Sequence, residues 1–132
     1  MKRSKRKVFK EPPLQPLRIP AGWKVEWNTF FEVEPKFKSH DQMSWNFGED
    51  MLLITNDWIG ITVEMGWYPS NRSPGIFRLV AIRNDQIEKL MGLAWDDPLR
   101  ELKTGSKKKV VRTVEKWLEW FGNQKPFRKR KS

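Results

Sequence analysis

Alternating apolar and polar side chains predict a β-sheet in the middle of the chain. Apolar side chains occupy every second position from Ile59 to Trp67, with small or polar side chains between them, so an extended strand here has one wholly apolar face. Residues 69–75 are rich in turn-forming residues. The run from Ile76 to Arg83 that follows is apolar on both faces and predicts a central partner strand, and Met51 to Thr55 predicts a further strand.

Shorter patterns predict elements on either side of this sheet. Trp23, Val25 and Trp27 alternate with charged residues, as in a half-buried strand, and Phe30 to Val33 predicts a second strand that pairs with it. Asn84 to Met91 predicts a short helix with a capping residue at its start.

The C-terminal part of the chain predicts an amphipathic helix. Apolar side chains recur at intervals of three and four residues from Val110 to Phe121. Residues 104–106 supply candidates for the N-cap, and Gly122 is placed for a C-terminal cap. We therefore predict an α+β fold: a single small antiparallel sheet of about four to five strands, covered on one face by this helix.

The net charge of +10 is concentrated at the two ends of the chain. Residues 1–18 carry seven basic side chains against Glu11 alone, a net +6, and residues 123–132 carry five with no acid, a net +5. The 104 residues between them have a net charge of −1. With four prolines before residue 21, this distribution predicts a basic, proline-rich flexible arm over 1–20, one globular domain over 21–122 and a basic flexible tail over 123–132.

Catalytic, metal and cofactor hypotheses fail for lack of the necessary residue types. The chain has no cysteine and a single histidine, His40, which lies in a polar stretch without a nucleophile motif nearby. The acidic doublets Glu49–Asp50 and Asp96–Asp97 could ligate Mg²⁺, but acids beside secondary-structure elements more commonly cap them or face solvent in turns. We predict no catalytic residue, no metal site and no cofactor, which favours a protein that is not an enzyme without excluding one.

Candidate residues for binding nucleic acid lie in the tails and at the start of the C-terminal helix. Lys- and Arg-rich tails attract phosphate by counterion release, and lysines beside the free N–H groups of a first helical turn favour an anion. The alternative is that the tails only aid solubility and that the lysines face water or pair with acids. The candidates are Lys2, Arg3, Lys5, Arg6, Lys7, Ser106, Lys107, Lys108, Lys109, Arg128, Lys129, Arg130 and Lys131.

Some of the eight tryptophans are candidates for contact with a partner. Aromatic side chains outside the apolar positions of an element can stack on bases or anchor a protein, although many form lids over a core instead. The candidates for contact are Trp45, Trp58, Tyr68 and Trp120. The tryptophans at apolar positions, which we expect in the core, are Trp23, Trp27, Trp67 and Trp117.

These features favour a non-enzymatic binding protein, in which a small domain docks to a partner while basic tails contact an anionic polymer, RNA or DNA. The alternative is an immunity-type or adaptor protein that binds one protein partner, with the tails incidental; this rests on similarity of architecture. A small ribonuclease is the third hypothesis. No apolar run approaches the ~20 residues of a membrane span, so no membrane partner is predicted. The absence of a secretory signal and of cysteine predicts a cytoplasmic protein, or a nuclear one in a eukaryote.

Overall fold

Five strands form one antiparallel sheet in the part of the chain that the computed structural model describes, residues 12–37, 42–90 and 93–126. Each strand pairs with the one before it in sequence, so the sheet is a meander. This confirms the predicted α+β fold and the central position of the strand from Ile76 to Arg83. The strands are β1, Lys24–Asn28; β2, Leu52–Asn56; β3, Ile61–Tyr68; β4, Ile76–Arg83; and β5, Arg100–Thr104.

Two α-helices accompany the sheet: α1, Asn84–Leu90, and α2, Lys107–Gly122, with short 3₁₀ helices at Gln42–Asn46 and Leu93–Asp96. Helix α2 begins as predicted, because the Ser106 hydroxyl accepts the backbone N–H of Lys109 at 3.1 Å. Its other end differs from the prediction. The helix includes Gly122 and is capped by Asn123, whose φ of −95° needs no glycine.

The core lies between the inner face of the sheet and α2. Every predicted apolar position of β3 is buried. The residues of β2 and β4 in register with them are buried as well, apart from Arg83 opposite Ile61, which is partly exposed. Helix α2 covers this face with the apolar side that its spacing predicted. The helix contributes Val110, Val114, Trp117, Leu118 and Phe121 to the core.

The opposite, outer face of the sheet is only partly covered. Val80 and Ile82 of β4 form a small second cluster there, beneath Ile87 of α1 and Trp95. The rest of the outer face carries polar and aromatic side chains, which the next subsection describes. The two faces therefore differ: α2 covers one of them, and the other is partly open to solvent.

Strand β1 departs from the predicted alternation. Its register against β2 shifts between Val25 and Trp27, so Val25 is opposite Ile54 but Trp27 is opposite Leu53. Leu53 lies on the outer face, and the irregularity brings Trp27 there too. Trp27 is 51% exposed, and the prediction that it belongs to the core was wrong, whereas Trp23, Trp67 and Trp117 are buried as predicted.

The predicted strand from Phe30 to Val33 does not pair with β1. Phe31 instead forms one isolated bridge with Leu14, and the Gln15 backbone N–H donates to the Phe30 carbonyl at 2.8 Å. Residues 12–20, which the sequence assigned to a flexible arm, therefore run along the domain. The predicted boundary at residue 20 lies within a segment that makes native contacts.

Two further contacts hold this segment in place. Leu17 and Ile19 pack against the core, and the Arg18 backbone N–H donates to the Glu115 carboxylate at 2.7 Å. Residues 1–11 of the predicted arm and residues 127–132 of the predicted tail lie outside the described residues. None of the helices in the described part of the chain has the length and apolar character needed to cross a bilayer.

Candidate functional site

The predicted anion site at the start of α2 is partly occupied by the chain itself. The Ser106 hydroxyl caps the helix. The Lys107 ammonium lies 3.9 Å from the Glu34 carboxylate, and its side chain is only 13% exposed. Lys108 and Lys109 are exposed. Of the three consecutive lysines, the last two are thus presented to solvent.

Two basic residues that the sequence analysis did not select lie beside these lysines. Arg112 and Lys116 fall four and eight positions after Lys108, on the same side of the helix. Together with Lys108 and Lys109 they line a shallow cleft of about 410 Å³, whose other lining residues are Ser106 and Thr113. No carboxylate lines this cleft. We call Lys108, Lys109, Arg112 and Lys116 the cationic face of α2.

Trp120 extends the cationic face toward the end of the helix. It follows Lys116 by four positions and is 43% exposed. The Arg100 guanidinium of β5 lies over its ring, 4.1 Å from the ring centroid. An aromatic surface, Trp120, and one more cation, Arg100, therefore lie beside the cationic face of α2.

The other candidate aromatic residues lie elsewhere. Trp45, 76% exposed, is part of the 3₁₀ helix at Gln42–Asn46, and Trp58 lies in the turn between β2 and β3. Neither lines the cleft on α2. Tyr68 lies at the end of β3 and lines a different groove. The candidate cations in the two tails and His40 fall outside the described residues.

This second groove, of about 600 Å³, lies on the outer face of the sheet. Trp27, Tyr68 and Trp95 are its aromatic lining residues. Its polar lining residues are Glu49, Asp50, Glu64 and Arg78, and Leu52 and Leu53 complete it. Of these residues, only Tyr68 was predicted from the sequence to bind a partner, and Glu49–Asp50 was interpreted as a cap or a solvated turn.

The carboxyl groups of Glu64 and Asp50 interact. Burial, the negative charge of Asp50 and a hydrogen bond to Asp50 together raise the pKa of Glu64 from 4.5 to about 7, and the charge of Arg78 opposes the shift. Burial and the charges of Glu64 and Glu49 also raise the pKa of Tyr68. Near neutral pH the groove thus holds a carboxyl group that is partly protonated.

A close backbone approach places Asp50 beside Glu64. The Met51 N–H donates to the Met65 carbonyl at 2.9 Å and the Trp67 N–H to the Gly48 carbonyl at 2.8 Å, so residues 48–51 continue to pair with β3. The Glu49 carbonyl passes directly over Gly66, where any Cβ would collide with it. Glycine at this position is the sequence signal that could have revealed the approach.

Arg78 is held by its own neighbours. Its Nε donates to the Glu101 carboxylate at 2.6 Å, and its Nη2 donates to the Trp95 carbonyl at 2.6 Å. The guanidinium charge is therefore largely balanced by Glu101. The groove keeps an excess of carboxyl groups over cations, which is the reverse of the charge on α2.

Within residues 12–37, 42–90 and 93–126, no group of three or more His, Cys, Asp or Glu side chains is arranged to hold a metal ion. The doublet Asp96–Asp97 is exposed at the end of the second 3₁₀ helix. Comparison with protein-family models, with curated proteins and with solved structures finds no match. The function must therefore be argued from the two surfaces.

Proposed function

We propose that the protein binds nucleic acid without sequence specificity, through the cationic face of α2 together with its basic tails. The observation that carries the proposal is the cleft on α2, which four basic side chains line with no carboxylate among the lining residues. Glu115 and Glu119 line the adjoining cleft, which Arg112 and Lys116 also border. Binding of this kind depends on phosphate contacts and counterion release. Such binding needs no active-site chemistry, so the function we propose is that of a binding protein and not of an enzyme.

The dimensions of the cationic face suit a phosphate backbone. Lys108 and Lys116 are about 12 Å apart along the helix axis at ~1.5 Å per residue. This length covers about three to four phosphates of one strand at ~3.4 Å each. Cations four residues apart lie about 6 Å apart along the axis and can therefore contact about every second phosphate, without any contact to the base edges that carry sequence information.

Trp120 and the tails would strengthen such a complex. A half-exposed tryptophan next to a basic groove can stack on a base whatever its identity, which favours single-stranded nucleic acid. The tails add five net positive charges after residue 122 and six before residue 19. The C-terminal tail follows α2 directly, so its charges continue from the helix that carries the cationic face.

The test compares two triple variants of the full chain that change the net charge equally. One is Lys109→Gln, Arg112→Gln and Lys116→Gln on the cationic face. The control is Lys24→Gln, Lys36→Gln and Arg72→Gln, at exposed positions outside the cleft. Binding of fluorescent single-stranded oligonucleotides is measured by anisotropy at several salt concentrations. A third variant replaces the tail residues Lys2, Arg3, Lys5, Arg6, Lys7 and 128–131 by Gln.

The cationic-face variant should reduce the slope of log K against log salt by about two units, because each lost phosphate contact is worth about 0.7–0.9. The control should change the slope by less than one unit, and the tail variant should weaken binding further. Equal losses in the two triple variants, or no salt-dependent binding by the unmodified chain, would overturn the proposal. If the unmodified chain shows no salt-dependent binding, the hypothesis that remains is an adaptor protein that binds one protein partner. If the unmodified chain cleaves a single-stranded RNA oligonucleotide and His40→Ala abolishes this cleavage, the result would support the ribonuclease hypothesis.

A further inference from the structure

The groove on the outer face has the composition of a site for a positively charged organic group. Two tryptophans and a tyrosine line it, together with three carboxyl groups, Glu49, Asp50 and Glu64. Aromatic faces attract ammonium groups through their quadrupole, and carboxylates attract them by charge. We propose that this groove binds an organic cation, an ammonium group carried on an apolar body.

The aromatic walls are held in place before any ligand arrives. The Trp27 indole N–H donates to the Asp50 carbonyl at 2.9 Å, which fixes this half-exposed ring next to the carboxyl groups. Trp95 packs against Val80 and Ile82, and its carbonyl accepts the Arg78 guanidinium. Because these side chains are already ordered, they lose less conformational entropy when a ligand binds.

The charges of the lining select a cation rather than a phosphate. Glu49, Asp50 and Glu64 contribute carboxyl groups, while Arg78 is the cation among the lining residues and is paired with Glu101 at 2.6 Å. A phosphodiester in this groove would meet uncompensated negative charge. The inference is therefore separate from the proposed nucleic-acid binding, which uses the other side of the domain.

The shape and the ligand set favour an organic cation over a metal ion. The described residues provide no cluster of three acidic side chains with metal-binding geometry. The groove of about 600 Å³ is far larger than a bare ion needs, and the Leu53 side chain of β2 offers apolar contact. An alkylammonium group has both the charge and the apolar surface that this lining can satisfy.

Binding should depend on pH in a defined direction. Glu64 must be ionised to attract the cation, and its pKa of about 7 reflects burial and the proximity of Asp50, against Arg78. Tyr68 also faces this group, and Glu49 lines the same groove. Since Glu64 is about one-tenth ionised at pH 6 and about nine-tenths at pH 8, affinity should rise by up to about tenfold between these values.

The probes are n-butylammonium and tetramethylammonium, with n-butanol as the neutral control. Each is titrated into the full chain at constant ionic strength, and the indole N–H signals of Trp27 and Trp95 are followed by NMR. Trp27→Phe and Trp95→Phe assign these signals. A fourth probe is an acetyl-Gly-Lys-Gly-amide peptide. Tighter binding of this peptide than of n-butylammonium would indicate a polypeptide side chain as the source of the cation, and the reverse order would indicate a free amine.

Two pairs of variants test the lining. Glu64→Gln keeps the shape and removes the charge, and Glu119→Gln on exposed α2 is its matched control. Trp27→Leu removes one aromatic wall, and Trp45→Leu changes an exposed tryptophan that does not line the groove. Glu64→Gln should weaken binding of n-butylammonium by about tenfold and Trp27→Leu by a few-fold, whereas the two controls should leave it unchanged.

The expected result is that both ammonium probes shift the Trp27 and Trp95 signals and bind at least about tenfold more tightly than n-butanol at pH 8. Glu64→Gln should also abolish the rise in affinity between pH 6 and pH 8. The inference is overturned if ammonium probes and butanol bind alike. It is equally overturned if Glu64→Gln and Glu119→Gln behave the same, or if the shifts occur at other tryptophans.

Discussion

Replacing Glu64 by Gln tests the electrostatics of the groove through the stability of the fold. In the folded protein, burial and the neighbouring Asp50 hold the pKa of Glu64 at about 7, against an ordinary value of 4.5. Gln has the shape of the protonated carboxyl group and cannot ionise. The variant therefore fixes this position in the form that the folded protein prefers.

The sign and size of the effect follow from linkage. Between pH 4.5 and 7 the folded protein holds a proton on Glu64 that the unfolded chain has released, so the free energy of unfolding falls as the pH rises. Without screening, a shift from 4.5 to about 7 corresponds to at most about 3 kcal/mol. Because the groove is open to solvent on one side, we expect about 1–2 kcal/mol.

The assay is urea unfolding of the unmodified chain and of Glu64→Gln at half-unit steps from pH 4.5 to 8.5. Other carboxyl groups titrate in both proteins, so the informative quantity is the difference between the two curves. Relative to the unmodified chain, the variant should gain about 1–2 kcal/mol between pH 5 and pH 8. Glu119→Gln, at an exposed position, is the matched control and should give the smaller difference.

Two outcomes would refute this reasoning. A difference between Glu64→Gln and the unmodified chain that stays constant across the pH range would mean that Glu64 ionises normally in the folded protein. A relative loss of stability by the variant as the pH rises would mean that the ionised form is the favoured one, with Arg78 dominating over burial and Asp50.

Three further substitutions probe the elements that support the two surfaces, each by urea unfolding. Gly66→Ala should cost about 1–3 kcal/mol because its Cβ would collide with the Glu49 carbonyl, whereas Gly105→Ala, with only ordinary contact at 3.9 Å, should be nearly neutral. Ser106→Ala should cost about 1 kcal/mol through loss of the N-cap, and Ser106→Asn should restore most of it. Asn56→Ala should cost about 1–3 kcal/mol, since its buried Oδ1 accepts the Ile59 N–H at 2.9 Å.

Each of these has a result that would contradict it. A stable Gly66→Ala protein with an unchanged Glu64 pKa would show that residues 48–51 do not depend on the close approach. Equal losses for Ser106→Ala and Ser106→Asn would argue against the cap. A neutral Asn56→Ala variant would mean that the Ile59 N–H finds another acceptor.

The elements with a strong and uninterrupted period were predictable from the sequence. The alternation in β3 and the helical spacing in α2 each leave one geometry that buries all their apolar side chains, so the sheet and its covering helix followed. Trp27 shows where this reasoning stops. A single shift of register changes the face on which a side chain lies, and the sequence of β1 carries no sign of it.

The sites were predictable only where they lie within one element. Arg112 and Lys116 could have been found by continuing from Lys108 in steps of four along the predicted helix. The pairing of Asp50 with Glu64 joins a loop to a strand, and its geometry depends on the main chain passing over Gly66. The pairing of Phe31 was mispredicted for the same reason. Phe31 forms an isolated β-bridge with Leu14, and Leu14 belongs to a segment that was assigned to a flexible arm.

The coverage of one sheet face by α2 also determines how the molecule would align in an electric field. Its positive surface faces away from the sheet on one side, and its carboxyl-lined groove opens on the other, so the charge is separated across the thickness of the domain. Near a polyanion, such a dipole turns the helix inward and the groove outward. If the protein binds nucleic acid and organic cations as proposed, copies arranged along one strand would display a row of accessible grooves and concentrate cationic ligands at the nucleic-acid surface.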